Sequence, residues 1–172
     1  MARVTRYAAA VLSVKELKAL ARRLDDAAFA QQLGPFVLVQ RPIEEAVKGA
    51  PGKGLKTTQP MPARTKRSVL DFEDLWVATL PPLADSDSFS LGRAPDCDLV
   101  IDEDTVSSHH ARIDWRHDHA EIVDVGSSNG TFVNGKKVSS GLRLEDNDAI
   151  DFGAVQVFFF AVATLRRRMN GT

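Results

Sequence analysis

The sequence predicts a mainly β protein, a sandwich or barrel of short strands with a small helical extension at its N-terminus. Three observations carry this. From Leu70 onward, short runs of β-type residues alternate with turn residues and no helical period is sustained. Asn134-Gly135 separates two of these runs, and it is a strong hairpin signal because both positions of a tight two-residue turn need positive φ. Near the start of the chain, a capping-box pattern opens a stretch with helical periodicity.

The elements follow in order. Ser13-Val14-Lys15-Glu16 fits S-x-x-E, and Leu17, Leu20, Ala21, Leu24 and Ala28 then recur at spacings of three and four. This predicts one amphipathic helix of roughly five turns, ending near Gly34-Pro35. Phe36–Pro42, FVLVQRP, reads as a short strand or an extended arm. Residues 49–67 hold three glycines, three prolines and no acidic residue, the composition of a flexible linker. The strand-like runs after Leu70 are LWVATL, DSFSLGR, CDLVI, ARIDW, AEIVDV, GTFV, KKV, DAIDFG and VQVFFFAVATL. His117-Asp118-His119 falls where a hairpin should turn. Arg166-Arg167-Arg168 reads as a solvated basic end. The expected organisation is an N-terminal helix-containing extension over 1–48, a linker over 49–67, the β domain over 68–166 and a basic tail over 167–172.

Composition narrows the function classes. The chain has 172 residues, 44% hydrophobic and 26% charged, as soluble globular proteins do. Cys97 is the single cysteine, so no internal disulfide forms and a reducing, cytoplasmic setting is expected. The basic start meets Lys15 and Glu16 after a short apolar run, so neither a signal peptide nor a membrane span is expected. Residues 1–70 carry 13 lysines and arginines against 5 acidic residues, and residues 71–172 carry 9 against 18. This asymmetry of +8 and −9 suggests two units of opposite sign.

All four histidines fall between 109 and 119. Ser107 and His110 are close enough to suggest a nucleophile and its base, but there is no G-x-S-x-G elbow, and acyl transfer is not expected. His109 and His110 would alternate across a strand, and His117 and His119 read as exposed turn residues, so no metal site is expected. Cys97 reads as a small buried apolar residue, and Trp76 and Trp115 as core or sheet-face aromatics. Phosphate binding suits the chain better. Gly92-Arg93 closes a strand run with a guanidinium fork that fits phosphate oxygens. Ser107-Ser108 offers hydroxyls and backbone N–H groups in a loop. Gly126-Ser127-Ser128-Asn129-Gly130 is a turn with an amide and further hydroxyls.

The order of these pieces adds to their chemistry. LGRAPDCDLVI, VSSHHARI, IVDVGSSNGTFVNGKKV and LEDNDAIDFG, spread over about residues 70–165, closely resemble the forkhead-associated (FHA) family. The resemblance implies an eleven-stranded β-sandwich that binds phosphothreonine peptides with loops at one end, without catalytic residues or cofactor. It implies that Arg93 supplies the main cation, that Ser107 and Ser128 bond the phosphate, and that Asn129 holds the peptide main chain. Ser108 joins the binding set by position, although the family often has a long donor there. His110, from the S-x-x-H motif, would brace the loops from behind. Gly92, Gly130, Asn134 and Gly135 would shape turns.

Some departures from the family pattern bear on binding. Ser108 removes a second cation, and Lys136 and Lys137 are candidates to replace it. Asp146-Asn147-Asp148 stands where D-G-D is usual, and Asn147 should tolerate the same left-handed backbone. Asp102-Glu103-Asp104 makes the neighbourhood acidic. The expected function is a non-catalytic phosphothreonine-binding adaptor in Ser/Thr-kinase signalling, its partner a phosphorylated kinase or kinase substrate. Thr57 and Thr58, once phosphorylated, would offer an intramolecular ligand. The alternatives are a degenerate scaffold for an unphosphorylated partner and a regulator whose basic N-terminal region binds nucleic acid. No membrane partner is expected, and nucleic acid is the least favoured.

Overall fold

The computed structural model describes residues 10–41, 70, 73–80 and 88–170. The linker expected at 49–67, with Thr57 and Thr58, lies outside the described residues. Two sheets face each other across one core. The seven-stranded sheet runs β1 (Ala10–Ser13), β3 (Trp76–Thr79), β2 (Phe36–Gln40), β12 (Val155–Ala161), β11 (Ala149–Phe152), β8 (Thr131–Val133) and β9 (Lys136–Lys137). The five-stranded sheet runs β10 (Leu142–Leu144), β7 (His119–Asp124), β6 (Ala111–Arg116), β4 (Ser88–Gly92) and β5 (Leu99–Val100). All pairings are antiparallel except β4 with β5. The inner faces meet through Phe36, Leu38, Leu91, Ile113, Ile122, Ile150, Phe152, Val157 and Phe159.

Twelve strands are described, against the eleven the resemblance implies, and two of them come from the N-terminal segment. That segment is therefore not a separate appendage. β2 pairs with β12 along five residues and with β3 on its other side. Its continuous apolar run is explained by burial on both faces: Phe36 and Leu38 point into the sandwich, while Val37 and Val39 enter a second core. β12 alternates likewise, with Val157 and Phe159 inward and Phe158 and Phe160 outward.

The second core is a helical layer on the outside of the seven-stranded sheet. It holds Val14, Leu17, Ala21, Phe29 and Leu33 from the N-terminal helices and Val162 and Leu165 from the C-terminal one. The single five-turn helix expected here is in fact two, α1 (Val14–Arg23) and α2 (Asp26–Leu33). Ser13 and Glu16 form the full capping box at the start of α1. The break comes at Leu24, whose backbone is extended, because Asp25 caps a new helix by accepting from the Ala28 N–H at 2.8 Å. Apolar spacing alone runs through this break, since both helices bury the same side.

The basic end also differs from the expectation of a solvated tail. Val162–Asn170 forms α3, which continues directly from β12. The Arg166 guanidinium donates to the Leu24 carbonyl at 2.6 Å, to the Ala21 carbonyl and to Asp26 at 2.9 Å, and lies 4.9 Å over the Phe29 ring. It satisfies carbonyls that the end of α1 leaves open. Arg168 pairs with Asp146 at 2.9 Å. Arg166→Ala is expected to cost about 1–3 kcal/mol of stability, the range for carbonyls that lose their donors, seen as a lower denaturant midpoint with unchanged slope. An unchanged midpoint would contradict this account of the helical layer.

Among the described residues, no helix is long and apolar enough to cross a membrane.

Candidate phosphate-binding site

Three loops converge at one end of the sandwich, and hydrogen bonds join them. The first leaves β4. The Arg93 N–H donates to the Ser107 carbonyl and the Ala94 N–H to the Ser108 carbonyl, both at 2.9 Å. This pairing needs Gly92, because a Cβ there would stand 2.2 Å from the Ser108 oxygen. The backbone thus fixes the root of Arg93 against the serine loop. Its side chain is 45% exposed; Nε bonds the Val106 carbonyl at 3.3 Å, and a terminal nitrogen stands 3.9 Å from Asp104. The guanidinium is held at its base and open at its tip.

The second loop carries Asp102 to His109. The Ser107 hydroxyl accepts from the Ser128 N–H at 2.9 Å, which joins it to the third loop, 126–130. Asn129 donates from Nδ2 to the Thr105 carbonyl at 2.7 Å, a second tie between these loops. The acidic neighbourhood is real: the Thr105 hydroxyl and N–H both bond Glu103, and hold its carboxyl below the ordinary range. Arg93, Ser107, Ser128 and Asn129 are therefore neighbours on one surface. Ser108 is exposed and joins them by its backbone. Of the two lysines considered as substitutes, Lys137 comes against the third loop: its Cε lies 3.2 Å from where a Cβ on Gly130 would be.

His110 is fully buried behind these loops. Its Nδ1 accepts from the Ser107 N–H at 3.0 Å, so its proton sits on Nε2, which donates to the Gly130 carbonyl at 3.1 Å. Its ring meets Phe152 edge-on at 5.6 Å. The histidine ties the second loop to the third and presents nothing to solvent. Neither nitrogen is available to take a proton from Ser107 Oγ, which is bonded to a different donor.

Turn chemistry supports the arrangement. Asn134 and Gly135 have φ of 51° and 80°, as the tight hairpin requires. Asn134 does more than turn: its Nδ2 bonds Asp148 at 2.7 Å and its Oδ1 accepts from the Ala149 N–H at 3.0 Å. Asn147 takes a φ of 74°, the left-handed backbone expected in its turn.

Asp124 organises the third loop, a role the sequence reading missed. Its carboxylate accepts from the Gly126 and Ser127 N–H groups, both at 2.9 Å, and from the hydroxyls of Ser127 at 2.6 Å and Thr131 at 2.7 Å. Burial alone would raise its pKa, but these hydrogen bonds outweigh burial and bring it down to about 2. The D-x-G-S spacing of an Asx-type turn was the available signal. A carboxylate depressed in the folded state contributes stability that is present above its ordinary pKa and lost as pH falls through the folded value. Loop 126–130 is therefore expected to loosen between about pH 4 and pH 2. Asp124→Asn should flatten that part of the stability profile, read from denaturation midpoints at each pH.

A second cluster also went unforeseen. The ligand-type atoms of Asp96, Cys97 and His109 all lie within 4.8 Å of one another. Cys97 and His109 stand twelve positions apart in sequence, and only the pairing of the first two loops brings them together.

Residues 89–153 match the family model of the FHA domain. An oxoglutarate dehydrogenase inhibitor of Corynebacterium jeikeium is 40% identical over 77 residues, 45% of this chain and 53% of that protein. The glycogen accumulation regulator GarA of Mycolicibacterium smegmatis is 39% identical over 77 residues, 45% and 48% of the two chains. An ABC transporter ATP-binding/permease protein of Mycobacterium tuberculosis is 44% identical over 89 residues, 52% of this chain and 10% of that one. The chain spans about half the length of the first two relatives.

Proposed function

We propose that this chain, which carries an FHA domain, is a non-catalytic adaptor that binds phosphothreonine peptides of a Ser/Thr kinase or its substrate. The observation that carries the reading is the convergence of Arg93, Ser107, Ser128 and Asn129 on one surface, their loops joined at 2.9 Å and 2.7 Å. A guanidinium tip, two hydroxyls and an amide match the needs of a phosphate on a peptide main chain. The family supplies the preference for phosphothreonine. The regulatory names of its relatives, an inhibitor and a regulator, fit a protein that acts by binding. The setting proposed is the cytoplasm, where such kinases place their phosphates.

The test is titration of the full chain with a degenerate phosphothreonine library, beside phosphoserine and unphosphorylated versions. Selective binding of the phosphothreonine set supports the adaptor. Equal binding of all three sets, or of none, refutes it. One observation favours a second reading, a scaffold for an unphosphorylated partner: Arg93 already faces Asp104 within the chain. A partner captured equally well before and after phosphatase treatment would support that reading.

A further inference from the structure

We propose that Asp96, Cys97 and His109 form a three-ligand site for a Zn²⁺-class divalent ion, set beside the phosphate-binding loops. Thiolate, imidazole and carboxylate are the ligand types zinc takes, and three protein ligands leave a fourth position for water. The three ligand atoms lie within 4.8 Å of one another. Around a tetrahedral ion with the usual bond lengths such atoms stand about 3.3–3.8 Å apart. Asp96 and His109 are exposed, so their side chains have room to turn toward the sulfur.

Two further features point the same way. The Cys97 thiol, although its residue is only 7% exposed, reaches the serine loop, where it donates to the Ser108 carbonyl at 3.3 Å, a proton that an ion would replace. The His109 Nε2 lies 3.1 Å from both oxygens of Asp96, so imidazole and carboxylate already converge on the side where that sulfur lies. The backbone is also in place. Ala94 N–H to Ser108 and Cys97 N–H to Ala94, at 2.9 and 3.1 Å, hold the two ligand-bearing segments in register. An ion here would staple the loop that bears Arg93 to the loop that bears Ser107. Because the thiol must lose its proton to bind, affinity should rise with pH.

Co²⁺ serves as the probe, added to the full chain under reducing conditions without chelators. The expected result is a thiolate-to-cobalt charge-transfer band in the near ultraviolet, with visible bands of a four-coordinate ion. Zn²⁺ should bleach both. Cys97→Ala should abolish the charge-transfer band. His109→Ala and Asp96→Asn, which change exposed side chains and leave the core intact, should weaken cobalt binding. The proposal is overturned by a wild-type chain that shows no charge-transfer band. It is equally overturned by a band whose intensity and midpoint are unchanged in His109→Ala. The readout is optical and needs no phosphopeptide, so it stands or falls apart from the adaptor reading.

Discussion

Arg93→Ala is expected to lower phosphothreonine-peptide affinity by about 10- to 150-fold. A hydrogen bond to a charged group contributes about 1.5–3 kcal/mol, and about 1.4 kcal/mol is a factor of ten. The loss should fall on binding and not on folding. The guanidinium is nearly half exposed and its ion pair with Asp104 spans 3.9 Å in solvent. Such pairs contribute little and the bond from Nε to the Val106 carbonyl is long at 3.3 Å, so the unfolding free energy should change by no more than about 1 kcal/mol. Arg93→Lys should recover only part of the affinity, because an ammonium keeps the charge and loses the planar fork. Salt offers an independent check: affinity should fall with ionic strength in the wild type and less steeply in Arg93→Ala. Asp104→Asn removes the competing anion and should tighten binding modestly. Calorimetric titration of all four proteins at two salt concentrations reads these effects together. Wild-type affinity in Arg93→Ala would remove the site from Arg93 altogether.

Arg93 stands out in the sequence through its position in an ordered set of short motifs. Gly92-Arg93, Ser107, His110 and Ser128-Asn129 are local in sequence, and each carries its chemistry openly. Their bonds to one another are not local, and the resemblance implies only that they share one binding surface. The Asp96–Cys97–His109 cluster lacks such a pattern. It exists because two loops pair through Ala94 and Ser108, and pairing of loops leaves no period or composition to read. The same distinction holds for the fold. The tight turns at Asn134-Gly135 and Asn147 were legible, since few residues adopt positive φ. The short strand Leu142–Leu144 was not, because three residues with one buried side chain give no alternation. The helical layer was hardest. α3 begins where β12 ends without a break, and its three arginines mask the spacing of Val162, Leu165 and Met169. A run of Arg reads as solvated, but Arg166 spends its charge on the carbonyls at the end of α1.

His110→Ala is expected to destabilise the domain by about 3–5 kcal/mol, combining a buried cavity with two groups that lose their partners. The Ser107 N–H and the Gly130 carbonyl both depend on the ring, and no water-facing side of His110 exists to soften the change. Phosphopeptide affinity should fall as well, although His110 reaches no ligand, because Ser107 and the 126–130 loop lose their common support. Two variants separate packing from hydrogen bonding. His110→Phe keeps most of the volume and the edge-on contact with Phe152 but neither bond, so it should recover part of the stability and little of the binding. His110→Asn keeps an acceptor and a donor on a shorter arm, so its gain should lie in binding instead. Denaturation curves report the first property, and amide shifts of Ser107 and Ser128 on titration report the second. If His110→Phe bound phosphopeptide as tightly as the wild type, volume alone would position the loops and the two hydrogen bonds would have no part in recognition. If it bound weakly while folding well, the histidine acts through Nδ1 and Nε2, holding still the serine proposed to meet the phosphate.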